Sequence, residues 1–545
     1  MLLAEKKVHS NRIAKHPFVL RSSTLIVIAA ICSMSTASFA SGFTAGDLIV
    51  SRTVYTGTAS TVTLGQALPG GGTAIADGSF PSVFTNETPD PSFGVTSPIF
   101  LDELTTSGSF VSSMAIDSSL ISTSFASKSE LALNVSTDGS AVTFMGYNAP
   151  VNQLDVSNSN TPAIFDSTNP VGSTYQRAIA QVDLSTGDLQ VTDVNAYSGN
   201  NGRAAILANG NYYMVGNAGN GSGNGATLSA LSDNTGVQMI AAGSSGNTTA
   251  IGVAQGTYGS STGYQRGFSL AQLPDPANPG HNYAADKTGK DDNFRGETVF
   301  NNTLYVTKGS GSNGVNSVYQ VGAVGALANG GTVPSDAAIT ILPGFNTLSE
   351  KVAEAKATLT ATPHPFGIWF GNSTTLFVAD EGDGVRLGVS GKVTTFAGLQ
   401  EWNLVNGVWD LTQTFQSGLL DQAAYTPAGL SWQVKQDGLR NITGQQNADG
   451  SFTIFATTST VSNELTHDLG ADPNEIVSIT VGTNSTAANT SFSVLETAAA
   501  GERFGGVAIT PSSIVAAPVP EPETYAMLLV GFSLLGFMRN KKSAT

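Results

Sequence analysis

The chain has 545 residues, of which only 12% are charged and 61 are glycine, and this composition excludes an ordinary helical enzyme. Its hydrophobic fraction of 40% is sufficient for a large core, so the low charge does not indicate disorder. The 24 basic and 40 acidic residues give a net charge of −16. This balance argues against nucleic acid as a partner, because a polyanion is bound by clusters of Lys and Arg. The composition favours a secreted β-protein.

The N-terminus has the order of a secretory signal peptide. Basic residues precede a short apolar run at 25–32, and small residues then continue to Ala40. We therefore predict a signal peptide over residues 1–40, with cleavage between Ala40 and Ser41. Cys32 is the only cysteine and would leave with this peptide. The mature protein is then expected to have no thiol and no disulfide.

The C-terminus, residues 516–545, has a second ordered signal. Pro520-Glu521-Pro522 is followed by an apolar run at 526–538 and then by a basic end. The run is shorter than the roughly 20 residues that cross a bilayer, but Tyr525 and snorkelling basic side chains would extend it. The pattern predicts a short hydrophobic helix that anchors transiently in the inner membrane, with the body outside. The basic residues that would stay on the cytoplasmic side are Arg539, Lys541 and Lys542.

This tail resembles the PEP-CTERM sorting signal of Gram-negative bacteria that make extracellular polysaccharide. The resemblance covers residues 517–543 and rests on Pro-Glu-Pro, the block TYAMLL and the basic end. It implies that an exosortase, after export by the secretion machinery, cuts near Pro-Glu-Pro and passes the body to the envelope, surface or matrix. The same tail is also called an ice-binding protein C-terminal domain, a label that by itself implies no ice binding.

Between these two basic ends the chain is much more acidic than its total suggests. This interior holds 16 basic and 39 acidic residues, a net charge near −23. We therefore expect few soluble partners of negative charge to be attracted to it.

The body, residues 41–515, contains one strand pattern that recurs at intervals of 70 to 94 residues. Each copy is a short apolar segment with β-branched or aromatic residues, followed by Gly, Asn, Asp or Ser. Most copies follow another short strand across a tight turn. Such a repeat predicts an all-β fold, a β-propeller with six blades, or seven if one of the two longest intervals hides another. The six copies begin at Asp47, Ala141, Asn211, Thr303, Thr375 and Phe452.

The two ends of the body predict how the ring closes. Residues 503–510 have the pattern of a first strand without its second, and residues 46–54 have the pattern of a second strand without its first. Pairing of these N- and C-terminal strands would complete one blade. The body also resembles secreted bacterial propeller-like proteins of undefined activity, through short elements such as LFVAD, GLQEW and RFGGVA.

Local patterns predict three further features. Residues 401–412 form a hairpin around Asn406-Gly407, a pair that accepts the positive φ angles of a type I′ turn. Residues 347–359 are the one predicted helix of the body, with a capping box at its start. The proline-rich stretch 271–292 is a long loop.

The sequence offers no catalytic residue and only one candidate metal site. Two glycine-rich segments have the spacing of a dinucleotide fingerprint and of a nucleophile elbow, but neither has the required helix, and we interpret both as loops. Asp380, Glu381 and Asp383 follow a strand in a glycine-rich loop and could bind Ca²⁺ through oxygen; the alternative is a solvated loop. No other cofactor is expected.

Tryptophan is the residue type that bears most on function. Trp369, Trp402, Trp409 and Trp432 either form a stacking platform for sugars or pack between blades, and packing is favoured for Trp402 and Trp409. Our leading hypothesis is a non-enzymatic surface or matrix protein that binds exopolysaccharide or protein. The alternative is an extracellular propeller hydrolase or lyase acting on polysaccharide. Convergent carboxylates with raised pKa values at a channel mouth would favour that alternative.

Overall fold

The computed structural model of the protein describes most of the body. The predicted signal peptide with its cleavage point, the sorting-signal residues with the predicted hydrophobic helix, and residues 350–359 of the expected body helix all lie outside the described residues. Within the described part, no helix is both long and apolar enough to cross a membrane. The described residues are 42–514 apart from 87–92, 220–226, 257–263, 310–312, 350–361, 385–395, 421–423, 462–465, 467 and 469.

Six four-stranded antiparallel sheets, the blades, make up the described body. Their strands are named here from the central channel outward. Blade 1 consists of β28 (Glu502–Ile509), β1 (Leu48–Val54), β3 (Ile99–Leu104) and β4 (Phe110–Ala115). Blade 2 consists of β6 (Asn134–Val135), β7 (Ala141–Tyr147), β8 (Arg177–Asp183) and β9 (Leu189–Val194). Blade 3 consists of β10 (Gly202–Ala208), β11 (Asn211–Gly216), β12 (Gly236–Ala241) and β13 (Thr249–Ile251).

The other three blades repeat this order. Blade 4 consists of β16 (Glu297–Phe300), β17 (Thr303–Lys308), β18 (Ser317–Val321) and β19 (Ile339–Ile341). Blade 5 consists of β20 (Pro365–Asn372), β21 (Thr375–Asp380), β22 (Gly398–Val405) and β23 (Val408–Phe415). Blade 6 consists of β24 (Lys435–Gln446), β25 (Phe452–Val461), β26 (Glu475–Val481) and β27 (Ser493–Thr497).

Few regular elements lie outside the blades in the described chain. Two short ladders pair β2 (Thr96–Ser97) with β5 (Thr123–Ser124) and β14 (Ala254–Gln255) with β15 (Gln265–Arg266). One α-helix, α1, spans Leu228–Ser232. Short 3-10 helices span Ser82–Asn86, Val156–Asn158, Leu270–Gln272 and Ala328–Gly330. The described body is thus an all-β propeller with almost no helix, and the all-β prediction is confirmed.

The recurring strand of the sequence is the second strand of every blade. Its six copies correspond to β1, β7, β11, β17, β21 and β25, and the blade count is six rather than the alternative of seven. In β21, Leu376 and Val378 pack toward blade 4, whereas Phe377 and Ala379 pack toward blade 6. Both faces of such a strand are buried, which is why it has a continuous apolar run instead of an alternating pattern.

A separate hydrophobic cluster fills each of the six interfaces between neighbouring blades. The cluster between blades 1 and 6, for example, joins Val50 and Val507 to Phe455 and Ile476. The core is therefore a ring of six packed layers around the channel. Burial of these layers is the main stabilising term for the propeller.

The N-terminal and C-terminal strands close the ring as predicted. Strand β28 pairs antiparallel with β1, with Ile49 opposite Ala508. Gly506 on β28 has no room for a side chain, because a Cβ there would lie 2.5 Å from the carbonyl oxygen of Leu131. The glycine pair of the RFGGVA element thus lets the closing strand approach blade 2.

Two of the three local predictions are confirmed, whereas residues 347–349, the described start of the expected helix, are not helical. Strands β22 and β23 form the expected hairpin, and its turn residues Asn406 and Gly407 have φ angles of 53° and 83°. Residues 271–292 form a long loop, with only the end of one 3-10 helix at its start.

Candidate functional site

Four buried arginines from four different blades converge at one end of the channel. Arg203 and Arg503 are the second residues of the innermost strands β10 and β28, Arg295 precedes β16, and Arg440 lies within β24. Each of these side chains is at most 6% exposed. Buried arginines are rare unless their charge is compensated. This end of the channel therefore concentrates buried positive charge within a protein whose net charge is negative.

Residues 125–131, here called the channel plug, lie across this end of the channel. The plug belongs to the connection between β5 and β6, yet it contacts several other blades. From blade 1, Arg503 Nε donates to the carbonyl of Phe125 at 2.9 Å. From the segment entering blade 3, the Asn201 side chain donates to Ser127 Oγ at 3.0 Å.

Blades 4 and 6 also reach the plug. Arg295 donates a hydrogen bond from Nη1 to Ser129 Oγ, and the carbonyl of Ala126 occupies the space that a Cβ on Gly470 would need. Gly470 lies in the connection between β25 and β26 of blade 6. A segment that touches blades 1, 3, 4 and 6 must cross the channel axis.

Glu130 is the acidic member of the plug and is fully buried. Its Oε2 accepts hydrogen bonds from Thr123 Oγ1 at 2.8 Å and from the backbone N–H of Ser124 at 3.0 Å. Its Oε1 accepts from the Tyr147 hydroxyl. Burial raises the pKa of Glu130 although these hydrogen bonds act in the opposite direction. The carboxyl group thus anchors the plug to blade 2.

Glu381 is the carboxylate that faces the arginines. Its Oε2 lies 3.5 Å from Arg440 Nε, and the charges of Lys128 and Arg295 also act on it. Burial opposes its ionisation, but these three cations outweigh burial and lower the pKa of Glu381. The cluster therefore combines Lys128 and four arginines with Glu381, Glu130 and further carboxyl groups that act on the arginines, namely those of Asp437, Asp468 and Asp472.

The three candidate Ca²⁺ ligands, Asp380, Glu381 and Asp383, have different surroundings in the structure. Asp380 accepts hydrogen bonds from the His364 backbone N–H at 2.6 Å and from Gln400 Nε2 at 3.0 Å. Burial raises the pKa of Asp380 to about 6. Glu381 faces the cations, and Asp383 adds negative charge near Asp437. Across the described residues, no group of three or more His, Cys, Asp or Glu side chains is placed to hold a metal ion.

Asp437 on β24 is a buried acid that sequence reasoning missed. It accepts the backbone N–H of Gly384 at 2.7 Å, and Gly382 packs directly against its carboxylate. Burial raises the pKa of Asp437, and the negative charges of Asp383 and Glu381 act in the same direction. Asp437 has no local motif, and only the fold brings it to residues 380–384.

A second concave site lies where blades 4 and 5 meet. Its volume is about 320 Å³, and Phe345, Trp402 and Trp409 form part of its wall. Phe345 stacks on Trp402 with ring centroids 3.9 Å apart. Polar groups also line this aromatic pocket, and they include Asn316, Asn346, Gln400 and Asp410. It combines apolar surface with hydrogen-bonding groups, as ligand pockets do.

The four tryptophans do not form one platform. Trp402 and Trp409 are buried between blades 4 and 5, which agrees with the favoured packing interpretation, but they also line the aromatic pocket. Trp369 packs between blades 5 and 6 against Phe377 and Phe452. Trp432 is half-buried and is not among the residues that line the aromatic pocket.

Comparisons with known proteins identify the tail of the chain. The PEP-CTERM protein-sorting motif matches residues 518–542. No curated protein matches the sequence.

Solved structures resemble the protein only distantly. The N-terminal domain of Nup159 is 8% identical with a TM-score of 0.28, covering 84% of this chain and 88% of its own. The acylaminoacyl peptidase of Pyrococcus horikoshii is 5% identical with a TM-score of 0.26, covering 74% and 48%. The endosialidase of phage phi92 is 9% identical with a TM-score of 0.26, covering 80% and 59%. The chain thus carries a PEP-CTERM protein-sorting motif near its C-terminal end, a motif that implies export and processing by an exosortase, and its described body is a six-bladed β-propeller.

Proposed function

We propose that the propeller body is a non-enzymatic binding module for exopolysaccharide and that the aromatic pocket between blades 4 and 5 contacts the sugar. The observation that carries this proposal is the meeting of Phe345, Trp402 and Trp409 at one concave site. Aromatic rings pack against the C–H faces of sugar rings, and the pocket is large enough for a monosaccharide unit. The sorting motif would place such a module at the surface of the cell or in its matrix.

Some polar side chains of the aromatic pocket already form hydrogen bonds within the protein, and these are less available to a ligand. Gln400 is already engaged, because it accepts from Trp402 Nε1 at 3.0 Å and donates to Asp380. The Asn346 side chain donates to the backbone carbonyls of Asn316 and Leu348. Asp410, on the outermost strand β23, is exposed. Its carboxylate is the group best placed to accept hydrogen bonds from sugar hydroxyls.

Charge favours a sugar unit without negative charge at this pocket. The chain between its two basic ends carries a net charge near −23, and Asp410 is itself acidic. A neutral hexose would meet no long-range repulsion there, whereas a uronic acid would. The aromatic pocket should therefore bind neutral sugar units of the polymer.

Binding is tested with the full exported chain and the exopolymer of the producing strain. We expect retention of the protein on immobilised polymer and quenching of tryptophan fluorescence by polymer fragments. Trp409→Phe and Asp410→Asn should each weaken retention at least several-fold. Trp369→Phe is the matched control, because Trp369 is packed between blades but does not line the pocket. Equal retention of all four proteins, or no retention of any, would contradict the proposal.

A second candidate function is cleavage of polysaccharide, by a hydrolase or lyase reaction, at the plugged end of the channel. It is favoured by two neighbouring carboxyl groups with raised pKa values, Asp380 and Asp437, since a general acid needs such a shift. Against it, both groups are buried and already accept backbone N–H groups, Asp380 that of His364 and Asp437 that of Gly384. The release of new reducing ends from the polymer, abolished by Asp437→Asn, would establish this function in place of simple binding.

A further inference from the structure

We propose that the plugged end of the channel binds a small oxyanion, a carboxylate, sulfate or phosphate group, between Arg503 and Arg440. This site is distinct from the aromatic pocket and does not depend on the proposed sugar binding.

The Arg503 guanidinium is the observation from which the proposal starts. The side chain is 1% exposed, and its Nε donates to the carbonyl of Phe125. Neither Nη1 nor Nη2 has a hydrogen-bond partner in the described protein. These two nitrogens carry four N–H donors. A buried donor without an acceptor destabilises the folded state by about 1–3 kcal/mol, and by more for a charged group.

Arg440 supplies a second buried donor beside this one. Its Nε also has no hydrogen bond in the described protein, because the Glu381 carboxylate lies 3.5 Å away. The positive charge of Arg440 acts on Arg503, and that of Arg295 acts on Arg440. Two buried guanidinium groups, each with donors that lack an acceptor, thus repel each other at this end of the channel.

The protein's own acids do not complete this site. Glu130 and Asp468 are the two carboxyl groups whose charges act on Arg503, but neither accepts a hydrogen bond from its Nη atoms. Glu130 is held by Tyr147 and Thr123, and Glu381 is shared by three cations. Burial lowers the pKa of Arg503 to about 10, and the positive charge of Arg440 acts in the same direction. A bound anion would remove both the repulsion and the unpaired donors.

The geometry of the donors points to an oxyanion rather than to a halide or water alone. The Nη1 and Nη2 atoms of one guanidinium form a planar fork that matches two oxygens of a carboxylate, sulfate or phosphate. Water would accept hydrogen bonds from the fork but would not offset the repulsion between Arg503 and Arg440, whereas an anion in contact with the fork would do both. The anion would also join the closing strand β28 to the plug, so its binding should stabilise ring closure.

The first experiment measures thermal unfolding of the full exported chain as sulfate, phosphate or acetate replaces chloride at constant ionic strength. A ligand that binds only the folded state stabilises it according to its saturation, so a saturable rise in Tm is expected for at least one oxyanion. Arg503→Gln should abolish this rise. General salting-out is distinguished by its linear, non-saturating dependence and by its presence in the variant.

The matched control is Arg52→Gln on β1, the strand next to β28. Arg52 forms ion pairs with Asp102 and Glu502, so its loss should lower the Tm and leave the rise with oxyanion intact. If Arg503→Gln does not fold, ion chromatography of the dialysed and then unfolded wild-type protein decides instead. About one oxyanion per chain is expected. The proposal is overturned if no oxyanion is released, or if wild type and Arg503→Gln respond alike.

Discussion

Ser51 on the first strand of the chain and Gly506 on the last are joined by a buried hydrogen bond. The Ser51 hydroxyl accepts the Gly506 backbone N–H at 2.7 Å and donates to the carbonyl of Leu131, also at 2.7 Å. One hydroxyl thus connects β1, β28 and the end of the channel plug. The closing point of the ring and the plugged end of the channel are therefore coupled through a single side chain.

Ser51→Ala tests this connection. The substitution leaves the Gly506 N–H and the Leu131 carbonyl without their buried partner, so we expect a loss of about 1–3 kcal/mol in the free energy of unfolding. Chemical denaturation of the full chain measures it. Ser60→Ala, at an exposed turn, should change the free energy of unfolding by less than about 0.5 kcal/mol. Equal effects of the two substitutions would show that the buried hydroxyl is not needed.

Gly506→Ala tests how closely the closing strand must approach blade 2. The added Cβ would lie 2.5 Å from the carbonyl oxygen of Leu131 and 2.6 Å from the backbone N of Leu133. Because both are backbone atoms, the strand must shift, and we expect a loss of about 1–3 kcal/mol. Gly172→Ala is the control, since no atom lies within 4 Å of its added Cβ. If the control costs as much as Gly506→Ala, the close approach is not the cause.

The propeller fold could be predicted from the sequence because the second strand of each blade is buried on both faces and is therefore a recognisable apolar run. A run such as Leu376 to Ala379 is apolar at every position, and its sixfold recurrence gives the blade count. The closure of the ring was also predictable, from the two strand patterns without a local partner at the ends of the body. Each is a half-hairpin whose partner is absent locally, and antiparallel pairing between them is the arrangement that completes a blade.

The charged cluster at the channel end was not predicted, because its members are far apart in the chain. Arg203, Arg295, Arg440 and Arg503 belong to four blades, and only the ring brings them together. The sequence does contain one pattern that could have indicated this cluster. Each arginine lies within two residues of a glycine and near an innermost strand, as in RAAILANG and RFGGVA. Aligning the repeats on their first strands rather than their second would have placed these arginines together.

The pH dependence of stability is predicted from Asp472, a buried acid in the connection between β25 and β26. Burial raises the pKa of Asp472 to about 8 from 3.8, although the Thr466 hydroxyl donates to it at 2.6 Å. Between these two pH values the folded state keeps a proton that the unfolded state has lost. This contribution to stability is complete below about pH 3.8 and is lost as the pH rises toward 8, by at most about 1.4 kcal/mol per pH unit.

Denaturation between pH 4 and pH 8 measures this dependence. Glu475 and Asp380 contribute in the same direction, since burial raises their pKa values to about 7 and about 6. Asp472→Asn should remove part of the decline, because the amide does not ionise. Asp449→Asn, at an exposed turn, should leave the decline unchanged. A wild-type stability that rises steadily from pH 4 to pH 8 would contradict the assignment.

Arg177 on β8 provides the last prediction, because it is a buried cation held by neutral groups. It is fully buried, and backbone carbonyls surround it: Nε donates to Asn200 at 3.0 Å, Nη1 to Tyr175 at 2.8 Å, and Nη2 to Ser159 at 2.8 Å. A Lys at this position presents one ammonium group and cannot reach carbonyls on three sides. Arg177→Lys should therefore cost about 3 kcal/mol or more in the free energy of unfolding.

The comparison for Arg177 is Arg266→Lys, which alters an ion pair with Asp233 in which both side chains are partly exposed. Such a pair contributes about 0–1 kcal/mol, so its conservative replacement should have little effect. Denaturation of both variants in parallel separates the two cases. Similar losses would mean that the carbonyl cage around Arg177 contributes no more than a surface ion pair. A large loss confined to Arg177→Lys would show that this cage holds together the loops of blades 2 and 3 that supply its carbonyls.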